Sequence, residues 1–108
     1  AQVAPGLLAR HYSPRTPVVL HDRLNPRQLS RLAPDEAWLF LARPKSATPA
    51  KNIFWLDPHG DLRGAARELF SALRRLDRTG FKRIHVELAR GEGLALAIND
   101  RLRRAAAR

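Results

Sequence analysis

Four histidines are the side chains best suited to acid–base or metal chemistry, and they stand singly at 11, 21, 59 and 85. None has another histidine or a carboxylate at a ligand spacing such as H-x-x-x-H, so no metal site is expected. His85 and Glu87 are two residues apart and share one face of a strand. A solvated polar face is the expected role for them, with a proton-relay pair as the sharper alternative. Asp35 and Glu36 are neighbours whose side chains point apart, which suits loop or cap acids and not a general acid–base pair. Ser13, Ser30, Ser46 and Ser71 lack the G-x-S-x-G setting of a nucleophile elbow. Gly91-Glu92-Gly93 precedes a helical pattern, but Leu96 stands where a dinucleotide fingerprint needs its third glycine, and Glu92 would repel a pyrophosphate. The expected role is a turn that starts a helix. G-x-x-x-x-G-K-[ST] does not occur, so no phosphate loop is expected, and no catalytic residue is assigned within this chain.

One segment remains chemically suggestive. Arg10-His11-Tyr12-Ser13-Pro14 gathers a guanidinium, an imidazole, a phenol and a hydroxyl with no acid nearby. Such groups offer donors and flat faces to an anion or nucleotide, on a backbone stiffened by proline. A proline-rich linker kept in solution by polar residues would have the same composition.

The elements that would position these residues can be read from the rest of the chain. It has 108 residues, enough for one domain, and 44% are hydrophobic and 28% charged, as in globular proteins. No apolar run approaches the roughly 18–20 residues of a membrane helix. The absence of cysteine excludes disulfides, iron–sulfur clusters, thiolate zinc sites and a cysteine nucleophile. Methionine is absent as well, even at position 1, which leads to the expectation of a fragment or processed form. Twenty Lys plus Arg against ten Asp plus Glu give a net charge of +10. That excess favours polyanions such as RNA, although a coding bias that raises Arg, Ala and Pro together would produce it too. The cations are dispersed, and no basic tail stands out.

Residues 1–16 read as an extended arm, carrying Pro5, Gly6 and Pro14 with little periodicity and too few apolar residues to pack firmly on their own domain. The domain proper is placed at 17–108. Strands are expected near 17–20, 37–41, 53–56 and 83–88, with Ala37 to Leu41 apolar without alternation and Ile84, Val86 and Leu88 alternating with polar residues. Asn25 and Pro26 would open a short helix carrying Leu29 and Leu32. A long helix is expected over 61–78, with Leu62, Ala65, Leu69, Phe70, Leu73 and Leu76 forming one stripe, and a last helix over 93–106. Strands separated by helices define an α/β fold with a mainly parallel sheet of four or five strands.

Pro5 to Pro17, P-G-L-L-A-R-H-Y-S-P-R-T-P, resembles the interdomain linker of the two-domain threonylcarbamoyl-AMP synthases, which reads roughly P-G-M-x-x-x-H-Y-[AS]-P-x-x-P. L-F-S-A-L-R-R-L-D at 69–77 resembles that family's long helix, and G-E-G-L-A-L-A-I-N-D-R-L-R-R-A-A at 91–106 its closing segment. Leu7 stands where the family often has Met, and Leu8 and Ala9 replace a Lys-Tyr pair. The resemblance implies a Rossmann-like three-layer domain that is not catalytic alone. It also implies an N-terminal YrdC-like catalytic domain in the same protein, a nucleotidyltransferase making threonylcarbamoyl-AMP from threonine, bicarbonate and ATP, with Mg2+, for tRNA modification in the cytoplasm. By the same resemblance Arg10, His11, Tyr12 and Pro14 belong to a lid over that nucleotide site. Partners would then be the catalytic domain, tRNA and other proteins of the modification pathway, and no membrane. A free-standing basic α/β RNA-binding module is the alternative.

Overall fold

The computed structural model describes residues 14–25, 34–45 and 51–107. Its elements are β1 (Val18–His21), β2 (Glu36–Ala42), β3 (Ile53–Asp57), α1 (Leu62–Thr79), β4 (Arg83–Glu87) and α2 (Leu94–Ala106). All lie within two residues of the positions expected from the sequence. The short helix expected after Asn25 falls on residues 26–33, outside those described.

The four strands form one sheet in the order β1-β4-β2-β3, and every pairing is parallel. Val18 pairs with Ile84, Trp38 with His85 and Phe40 with Trp55. The ladder begins before β1 proper, where the Ile84 amide donates to the Pro17 carbonyl at 2.9 Å. Alternation along these strands sends Val18, Ala37, Leu39, Leu56, Ile84 and Val86 to one face, where α1 and α2 bury them. α1 contributes Ala65, Leu69, Ala72, Leu73 and Leu76, and α2 contributes Ala95, Ile98, Leu102 and Ala105. The described residues thus build the sheet and the helical layer on one of its faces. Neither helix is long and apolar enough to cross a membrane.

Local chemistry fixes the helix ends. The Asp61 carboxylate accepts from the Gly64 amide at 3.3 Å, and α1 stops at Gly80 in the left-handed region, φ 93°. Gly93, φ 60°, caps α2, so the G-E-G stretch is the helix-starting turn its sequence implies. Buried Asn99 ties that turn back: its amide donates to the Ala89 carbonyl at 2.8 Å and accepts from the Ala89 amide at 2.7 Å. Both polar groups of a buried amide are thereby satisfied.

Candidate functional site

Arg10, His11 and Tyr12, the expected lid residues, lie outside the described residues. Pro14, the fourth, is buried. The chain that follows it is fixed to the end of α1, where Asp77 accepts from the Arg15 amide at 3.3 Å, the Thr16 amide at 2.9 Å and the Thr16 hydroxyl at 2.8 Å. Thr16 is itself buried. An arm poor in apolar residues was expected to stay off its own domain. At residues 14–16 polar bonds do what apolar area cannot. The signal in the sequence was Asp77 itself, because an acid near the C-terminus of a helix opposes the helix dipole and needs a partner elsewhere.

The sheet face away from the two helices carries a second constellation. Trp38 and His85, register partners on β2 and β4, stack with ring centroids 3.9 Å apart and planes 6° apart. His85 Nε2 lies 2.8 Å from Glu36 Oε1, and His85 Nδ1 lies 2.9 Å from His21 Nε2 on β1. Arg83 reaches the same Glu36 oxygen at 3.4 Å. Only 12% of the His85 side chain and 18% of the Glu36 side chain is exposed. The expected solvated polar face is therefore a packed polar network. Glu87 belongs to it in another way, accepting the Leu24 amide at 3.0 Å and the Leu41 amide at 3.3 Å. The His85–Glu87 relay does not form. His85 turns to Glu36 and His21, while Glu87 binds backbone.

The electrostatics assign the protons. The hydrogen bond from His85 holds the Glu36 carboxyl below the usual range, aided by Arg83 and opposed by partial burial. An ionised Glu36 accepts the His85 Nε2 proton, which leaves Nδ1 as the acceptor for the His21 Nε2 proton. Burial, then the neighbouring His85, pushes His21 below its ordinary value of 6.5. Among the described residues no hydroxyl nucleophile bonds to either ring, and no group of three His, Asp or Glu is placed to hold a metal ion. The arrangement laces β1, β4 and β2 together through directional bonds. The Trp38 Nε1 atom is buried without an acceptor.

Fold and site together define a parallel α/β domain whose chain is tied at residues 15 and 16 to Asp77 and whose second sheet face carries a packed polar network. Residues 1–107 match the family described as threonylcarbamoyl-AMP synthase, C-terminal domain, and the chain belongs to that family. It is 35% identical over 114 residues to the threonylcarbamoyl-AMP synthase of Pyrococcus abyssi (strain GE5 / Orsay), a match covering 94% of this chain and 31% of that protein. It superposes on the crystal structure of P. abyssi Sua5 complexed with L-threonine with a TM-score of 0.67 and 30% identity, over 90% of this chain and 30% of that one. The chain thus spans about a third of the length of the curated relative it matches.

Proposed function

We propose that the chain is the accessory C-terminal domain of an L-threonylcarbamoyladenylate synthase, acting in the cytoplasm on the route to tRNA threonylcarbamoyladenosine. The reaction, from threonine, bicarbonate and ATP with Mg2+, belongs to an N-terminal YrdC-like domain of the same protein. The arm is the lid. Arg10 faces phosphate, His11 and Tyr12 supply donors near the nucleotide, and Pro14 sets the direction in which the chain leaves the domain. Such a segment restricts escape of a labile adenylate and excludes water from it.

The observation that carries this reading is that the family match takes in the arm as well as the globular part, residues 1–107. The bonds from Arg15 and Thr16 to Asp77 support it, because a lid closes reproducibly only from a fixed base. Replacing His11 and Tyr12 by alanine, in a protein that joins this chain to its catalytic domain, lowers threonylcarbamoyl-adenylate formation and leaves the melting temperature of this domain unchanged. Unchanged turnover makes the arm a spacer.

One observation favours the second reading, an RNA-binding module. Arg74, Arg75 and Arg78 gather on the exposed side of α1, with Ser71 and Thr79, around a groove of about 590 Å3. Phosphate contact there would be weak and strongly dependent on salt. The same surface would serve an accessory domain that meets tRNA or another protein of the modification pathway.

A further inference from the structure

Every strand of a parallel sheet ends at the same edge, and open α/β sheets take ligands outside the carboxyl edge, where neighbouring strands send the chain apart. In this domain β2 and β4 are such neighbours. The chain leaves β2 toward β3 and leaves β4 toward α2, which packs over β1. A crevice of about 620 Å3 opens between these exits. That lies inside the roughly 300–1,000 Å3 of small-molecule sites.

The chemistry of the walls is divided. Buried Leu24 and Phe40, with half-buried Leu62, give an apolar floor. Arg23, just after β1, and Arg90, just after β4, bring two exposed guanidinium groups to the lining. Neither is held in an ion pair among the described residues. Glu87 also lines the crevice, and each of its oxygens accepts one backbone N–H and keeps a second lone pair. A bare inorganic anion would leave the floor unused, and a neutral apolar molecule would leave both arginines unused.

We infer that this crevice is a binding site for a small amphipathic organic anion: its phosphate or carboxylate sits between Arg23 and Arg90, and its body lies over Leu24, Phe40 and Leu62. A hydroxyl or amine on the ligand can donate to Glu87. Arginine suits the head group because its planar fork grips two oxygens of a phosphate or carboxylate at once. The site is separate from the described end of the arm, residues 14–16. Thr16 and Asp77 sit where α1 ends and β1 begins, at the amino edge of the sheet, a strand's length from the crevice.

Amide NMR titration of the 108-residue chain with adenosine 5′-monophosphate, octanoate and inorganic phosphate tests the inference. Either organic probe shifts the amides of Arg23, Leu24, Ala42, Gly60, Leu88 and Arg90, and inorganic phosphate binds at least about tenfold more weakly. The nucleotide outperforming octanoate names a phosphate ligand; the reverse order names a carboxylate. Arg23→Ala with Arg90→Ala, both exposed positions, weakens the better probe by about tenfold or more while the rest of the spectrum stays in place. Absence of shifts, shifts spread over the arginines of α1, equal binding of inorganic phosphate, or full affinity in the double variant would each overturn the assignment.

Discussion

The two faces of this sheet are built from the same strands by opposite physics. Toward α1 and α2, β4 presents Ile84 and Val86, both fully buried among leucines and alanines. Away from them it presents His85 and Glu87, each held by directional bonds to β1 and β2 or to the chain that follows them. The helical face asks only for area and shape, which many side chains supply. The network face asks for particular atoms at particular distances. The helical face should therefore carry most of the stability, whereas the network fixes strand order and register and brings sensitivity to acid.

The largest break in this comparison is expected at the centre of the helical face. Leu73→Ala empties a site only 1% exposed and should cost about 2–5 kcal/mol in urea unfolding at any pH between 6 and 8. On the other face, His85→Ala removes the Trp38 stack and two hydrogen bonds, for an expected loss of about 2–3 kcal/mol. A loss at His85 exceeding that at Leu73 would invert the assignment of roles.

Acid should sharpen the contrast. His21 titrates below its ordinary 6.5 in the fold, so the unfolded chain takes up that proton first. Stability is then complete above pH 6.5, falls as the pH drops below it, and stops falling once the folded His21 has itself been protonated. Glu36, depressed below its ordinary 4.5, stabilises fully above that value and loses its contribution as the pH falls through its folded value. Urea midpoints should be level from pH 8 to 7 and decline below 6.5. His21→Ala removes the first step, and Leu73→Ala leaves it in place. Midpoints that rise on acidification would contradict the proton assignment.

The smallest effect belongs to neither face. Replacing Arg74, Arg75 and Arg78 together by alanine on the outside of α1 should change stability by no more than about 0.5 kcal/mol per site. It should lower any affinity for tRNA at low salt and reduce the salt dependence of binding. Tight tRNA binding that persists at high salt would move the domain toward the RNA-binding reading.

The contrast between the faces also explains what the sequence disclosed. Apolar burial leaves a periodic trace along one segment, so Leu62 to Leu76 announced a helix and Ile84 with Val86 a strand face. The network has no such trace. His21 and His85 are 64 positions apart and Glu36 and His85 are 49 apart, and only the order β1-β4-β2 makes them neighbours. Reading His85 with Glu87 respected the alternation of the strand but could not see which residues the flanking strands would bring. Asp77 was legible only as a misfit at a helix end. The lid role proposed for Arg10, His11 and Tyr12 rests on the wording of the arm, and the wider family match takes in that stretch without assigning their roles.

On the proposed function, this domain adds control, not chemistry, to a synthase. Threonylcarbamoyl-adenylate formation should be measured with the chain alone, the catalytic domain alone, and the two joined through residues 1–16. The chain alone should release no pyrophosphate above a protein-free blank, and the joined protein should outperform the catalytic domain alone, losing that advantage when His11 and Tyr12 are alanine. Turnover by the chain alone, surviving repurification, or equal rates with and without it, would contradict the account.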